Sequence, residues 1–264
     1  DAKSVNDGGS IAQSIWRDRV VSGDPNDVAL AINNFVLKHR VVASASYRKE
    51  YAKFLGTSIS LIYVGSPAPR TEFGNSQFSY TYAGDMNGDG SGGGGNDLIW
   101  VPRNRNDIIL NDIVYNAANG GGTYTADEQW ADLNAYIEQD KYLKERRGQY
   151  AERNGATVPY LGQLDVKLLQ DFFVNIGSKR NTLQLSLDIF NFGNLLNSNW
   201  GVYKIPVRTA LIQFAGYNSL GQPTFNYPRT ANNLNSAPLR ETFQDDAGLR
   251  SRWQMQFGVR YIFN

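Results

Sequence analysis

Residues Arg250 to Phe263, RSRWQMQFGVRYIF, alternate apolar and polar side chains almost without fault, which restricts the folds open to this chain. Trp253, Met255, Phe257, Val259, Tyr261 and Phe263 fall on one side; Arg252, Gln254, Gln256, Gly258 and Arg260 fall on the other. A period of two is a β-strand with one apolar and one wet face. A sandwich edge could show the same pattern. This strand, however, exceeds the ~5–6 residues usual in soluble strands. It meets the ~9–11 that a tilted strand needs to cross a bilayer. Aromatic residues near its ends suit the interfacial girdles of an outer-membrane barrel. Asn264 alone follows.

The 264 residues fit one large β domain or a piece of something larger. Mean hydropathy is negative and no apolar run is long enough for a transmembrane helix. A barrel tolerates that value, because half of each spanning strand faces a polar lumen. The absence of Cys excludes a disulfide scaffold and thiolate catalysis. A formal charge of +1 gives no global field that favours nucleic acid. The chain begins at Asp1 with neither an initiator Met nor a signal peptide, so a processed, truncated or fragmentary chain is expected.

Further strands are expected at 182–190, where Leu183, Leu185, Leu187 and Ile189 alternate with polar residues, and at 163–176. Gly177 to Arg180 join these two as a hairpin. Val41, Ala43, Ala45 and Tyr47 mark another strand, turning near Glu50 into Ile59, Leu61 and Tyr63. Segments 202–213 and 222–227 read as strands joined by a turn at Gly216–Gly221, and 11–20 as a weaker one. Short turns alternate with long connections, the topology of an up-and-down outer-membrane barrel with periplasmic turns and extracellular loops.

The longest connection, 66–161, exceeds what a structureless loop spans in a compact domain. Within it, 127–153 reads as one helix, with Trp130, Leu133, Tyr136 and Ile137 on a single face. Asp140–Lys144 and Lys141–Glu145 form i,i+4 pairs, Thr125 and Glu128 a capping box, and Gly155 a C-cap. The bland role for such a helix is to shore up the loop; the other is to grip ligand.

Ahead of it stands Asp85-Met86-Asn87-Gly88-Asp89-Gly90-Ser91. Oxygen-bearing side chains at every second position, with Gly at the sixth, are how a loop folds around Ca²⁺. Asp85, Asn87 and Asp89 would supply side-chain oxygens and Ser91 a backbone carbonyl. The twelfth position holds Asn96 where an EF-hand has Glu, and Asp97 follows it. A plain Gly-Asp-Asn turn is the alternative.

Other motifs carry less. His39 is the sole histidine, which leaves almost no material for a catalytic triad or a zinc site. Asp245-Asp246 has no fixed carboxylate partner, and Lys144, Arg146, Arg147 and Arg153 read as a solvated face. No constellation of nucleophile, base and orienting group can be assembled, so no enzyme is expected.

The segment Phe78-Ser79-Tyr80-Thr81-Tyr82, then GDMNGDG, then Asn96-Asp97-Leu98-Ile99-Trp100-Val101-Pro102, resembles a loop in TonB-dependent outer-membrane receptors. The resemblance is to the Bacteroidetes type with an N-terminal carboxypeptidase-like regulatory domain. HRVVASASYRKEY, LSLDIFNFGNLLN and the closing WQMQFGVRYIFN are similar to the same family, and the likeness runs from about His39 onward.

It implies a 22-stranded all-β barrel in a Gram-negative outer membrane, a plug remodelled by TonB, and passage of a large ligand. On that reading residues 1–264 are the C-terminal part of the barrel, the plug and remaining strands being elsewhere in the receptor. Arg252, Gln254, Gln256 and Arg260 would face the lumen, and Tyr261 and Phe263 would match the pattern read by the barrel-assembly machinery. Phe78, Tyr80, Tyr82, Trp100 and Trp130 would grip ligand at the mouth or pack the loop against itself. Any Ca²⁺ would be structural. Two alternatives stand beside it. One is a self-contained eight-stranded barrel acting as adhesin or anchor; the other is a secreted Ca²⁺-binding recognition module.

Overall fold

A computed structural model describes residues 2–5, 11–68, 76–90 and 95–263. Strands dominate and helices are few; no helix is long and apolar enough to cross a membrane. The chain forms two compact units. One comprises Leu37–Ala68, Pro159–Ile205 and Asp245–Asn264; the other comprises Asp1–Val36, Pro69–Val158 and Pro206–Gln244.

The first unit is an antiparallel sheet of five strands, Val41–Tyr51, Leu55–Pro67, Tyr160–Ile176, Lys179–Phe190 and Gln254–Phe263, lying side by side in chain order. Register sorts the faces. One row across all five strands reads Tyr47, Ile59, Leu168, Leu187, Phe257, and the next Ala45, Leu61, Val166, Ile189, Met255. The row between them, on the opposite face, reads Ser46, Ser60, Lys167, Asp188, Gln256. A slip of one residue in any strand would mix the faces, so alternation excludes every odd shift of register. Apolar residues, among them Ile62, Leu169, Phe173, Phe190 and Ile262, interrupt the polar face.

The hairpin turns at residues 52–54 and 177–178 lie at one end of the sheet, and the connections 68–159 and 191–253 leave from the other. Glu50 is still in its strand; the chain reverses where Ala52 and Lys53 take positive φ (53° and 61°).

The second unit holds short pairings around an aromatic core. Gln77–Phe78 pairs with Ala156–Thr157, Trp100–Val101 with Gln149–Tyr150, and Ile113–Tyr115 with Gly122–Tyr124. Ala210–Tyr217 pairs antiparallel with Pro223–Asn226 and parallel with Thr81–Ala83.

Four expectations are corrected here. Residues 202–213 are not one strand: Pro206, which has no N–H to donate, ends Lys204–Pro206, and Ala210–Tyr217 belongs to this second unit. Gly216 is therefore within a strand, and the turn follows at Asn218–Gly221. Residues 11–20 contain the short helix Ala12–Trp16 instead of a strand. The closing strand starts at Gln254, after a 3₁₀ turn at Leu249–Ser251.

The fourth is the helix at 127–153. The capping box forms, with the helix running Ala126–Gln139 and burying Gln129, Leu133, Tyr136 and Ile137. It stops at Asp140, whose backbone is extended (φ −85°, ψ 112°) and whose carboxylate caps Leu143 N–H in the separate turn Lys141–Lys144. Gly155 is consequently no C-cap. The Asp140 carboxylate does not pair with the Lys144 ammonium, which meets Glu138 at 2.9 Å.

Candidate functional site

On the polar face of the sheet, charge is laid out in partnered groups. Arg48 meets Asp171 at 2.8 Å, Gln184 donates to the same carboxylate, Arg180 meets Glu50 at 2.8 Å, and Lys167 meets Asp188 at 2.8 Å. Gln254, Gln256 and Arg260 stand on this face, opposite Phe190, Asp188 and Gln184. Arg252 does not share that ladder; it closes the 3₁₀ turn before the strand. Such a surface can hydrogen-bond to water or to a polar passenger.

The opposite face is largely apolar, and much of it is exposed. Phe257 and Val259 are each 75% exposed, and Tyr47, Val174 and Tyr261 are exposed as well. Aromatic side chains gather at its ends: Tyr51, Tyr261 and Phe263 toward the short turns, Tyr63 and Tyr160 toward the long connections. Tyr261 donates to Asn181 Oδ1 at 2.8 Å and its ring lies 5.9 Å from that of Phe263.

In the second unit the rings expected at a mouth divide. Phe78, Tyr80 and Tyr82 are buried and do not present a gripping surface, because each serves the core. Phe78 packs edge-on to Tyr80 at 5.2 Å, and Tyr82 stacks on Phe225 at 4.8 Å while accepting Trp100 N–H. Trp100 and Trp130 remain half-buried, Trp100 against Tyr150.

Tyr80 donates to Asp140 Oδ2 at 2.6 Å, and Thr242 donates to the same oxygen at 2.6 Å. Burial pushes the Tyr80 hydroxyl far up, helped by Tyr136 and Asp140, so it stays a donor. Asp132 plays a similar part for Tyr124 and Arg240. These two hubs were invisible as such, since an acid inside an amphipathic helix reads as solvated until its burial is known.

The aspartate loop is folded tightly. Asp85 Oδ1 accepts Gly88 and Asp89 N–H and its Oδ2 accepts Gly90 N–H, with Gly88 and Gly90 at positive φ (73° and 76°). Asn87 Oδ1 accepts Asp89 N–H, and both Asn87 Nδ2 and Asn96 Nδ2 donate to Asp89 Oδ2. Asp97, fully buried, accepts Met86 N–H at 2.8 Å through Oδ2. Burial raises its carboxyl above the usual range, against the pull of the Met86 and Asn87 N–H groups. Ser91 lies outside the described residues. Among the described residues no three His, Cys, Asp or Glu side chains converge as a ready metal cluster.

Comparison with protein-family models, with curated proteins and with solved structures found no match for this chain.

Proposed function

We propose that this chain is a section of the wall and outer loops of an outer-membrane transport receptor of the TonB-dependent type. One observation carries the reading. Five consecutive strands of 10 to 17 residues present a largely apolar face, crossed near the short turns by Lys49, Thr57 and Gln170, on which Tyr47, Val174, Phe257, Val259 and Tyr261 are exposed, and it is backed by a polar face of paired charges. A soluble sandwich buries such a face against a second sheet; lipid covers it in a barrel.

Dimensions support it. From Trp253 to Phe263 the chain spans ~33 Å along the strand, or ~25 Å high at a tilt near 40°, which matches the apolar band of such barrels. Among the described residues the first and fifth strands are long edges of the sheet with no further strand beside them, and edges of that kind call for further strands. A self-contained eight-stranded barrel is less well supported, since residues 11–20 contribute a helix where an eighth strand was needed. In the favoured reading the polar face lines the lumen toward the plug, and Trp100 and Trp130 stay available at the mouth.

The test is the mass of the particle that contains this chain, isolated undenatured in mild detergent and then separated under denaturing conditions. A particle several-fold heavier than 29.4 kDa, releasing plug and further strands as a second piece or as one longer chain, supports the receptor. A particle of the chain's own mass that needs detergent indicates a small closed barrel. Solubility without detergent overturns both.

A further inference from the structure

We infer that Asp85, Asn87 and Asp89 together with Asn96 and Asp97 form a Ca²⁺ site whose occupancy fastens the segment Arg17–Gly23 to the rest of the second unit. The inference does not rest on the transport reading. Its first support is chemical. Asp85, Asn87, Asp89, Asn96 and Asp97 bring hard oxygens to one short loop, the donor set that suits Ca²⁺ in an irregular backbone better than the strict octahedron of Mg²⁺.

Its second support is independent of acidity. Asp97 Oδ1 and Asn96 Oδ1 are buried, at 0% and 3% residue exposure, and neither has a hydrogen-bond partner. Among the described residues no cationic side chain pairs with Asp97. Buried oxygens left unsatisfied are costly unless something meets them. These two belong to the residues that brace the loop: Asp97 holds Met86 N–H, and Asn96 Nδ2 holds Asp89. A divalent cation is a partner that a carboxylate oxygen and an amide oxygen can both meet.

The same residues tie down Arg17–Gly23. Asn96 Nδ2 donates to Arg17 O at 3.1 Å and Asn87 Nδ2 to Gly23 O at 2.8 Å. Val21 N–H donates to Asn96 O, and Leu98 N–H to Val21 O, both at 2.8 Å. Ordering of the loop and docking of the segment are therefore linked, and linkage acts in both directions.

The experiment uses the full purified chain, in detergent where needed, stripped with EGTA and titrated calorimetrically with CaCl₂ and separately with MgCl₂. In parallel, tryptic cleavage after Arg17 and Arg19 is followed by mass. Expected is one Ca²⁺ per chain with Kd on the order of 10⁻³ M or tighter, as in extracellular modules. Cleavage should slow roughly tenfold when free Ca²⁺ stands at about ten times Kd. Asp97→Asn and Asp85→Asn should each weaken binding by roughly tenfold or more, consistent with the role of ligand charge. Asp107→Asn, at an exposed ion pair with Arg103, should not. No calcium heat from wild-type chain with intact strand circular dichroism overturns the site, as does equal binding of Mg²⁺ or full binding by both variants. Binding without slower cleavage overturns the coupling. The wild-type titration decides even where a variant fails to fold.

Discussion

Gly65 and Gly162 face each other across the second and third strands, each lying under a tyrosine. A Cβ at Gly65 would stand 2.0 Å from Tyr160 Oη, and one at Gly162 would stand 2.6 Å from Tyr63 Oη. The absent side chains let both rings lie flat on the sheet. Gly65→Val should therefore destabilise the sheet by about 1–3 kcal/mol, the usual cost of overpacking. Pairing it with Tyr160→Ala should recover part of that loss in urea melts. Buried tyrosines set a second expectation. Burial pushes Tyr136 up to about 12, against roughly 10 for an unfolded tyrosine. The folded state thus holds this proton more tightly. Its stabilisation is complete below about pH 10 and is lost as pH climbs toward 12. Tyr136→Phe should make the fall in urea midpoint above pH 10 shallower, although other buried tyrosines will share the slope.

At the level of elements, the closing strand offers the sharpest test, because the chain has no cysteine and single replacements report alone. In native membranes, Phe257→Cys and Val259→Cys should resist a charged maleimide, while Gln256→Cys and Arg260→Cys should react. Uniform labelling of all four would refute a lipid-covered face. The long helix permits a simpler check. Thr125 accepts Glu128 N–H and Glu128 in turn accepts Thr125 N–H, so Thr125→Ala should cost about 1 kcal/mol by denaturant melting. The helix's end at Asp140 was not legible. Lys141–Lys144 continues the helical pattern, and the break follows from Tyr80 and Thr242 drawing the Asp140 carboxylate into the core.

For the whole molecule, the open edges matter most. Among the described residues no strand lies beside the outward N–H groups of Val41–Tyr51 and Gln254–Phe263. If they are paired within a receptor, their hydrogen exchange in the native particle should be slower than in the isolated chain by several orders of magnitude. Comparable rates in both would leave no room for neighbouring strands.

The alternation of side chains by itself marked the five long strands and sorted their faces. Its period of two puts Tyr47, Ile59, Leu168, Leu187 and Phe257 on one face, and the hairpin at Gly177, which sets the register of its two strands, follows from local turn chemistry. The aspartate loop was equally plain, since its spacing of oxygens is local. Other choices depended on contacts far apart in the chain. Ala210–Tyr217 alternates as well as the sheet strands do, yet it pairs with Thr81–Ala83 and Pro223–Asn226. Phe78, Tyr80 and Tyr82 look like surface aromatics until the helix and the Asp140 hub enclose them. Periodicity says that a side chain prefers to be covered, while the cover itself comes from residues up to a hundred and more positions away.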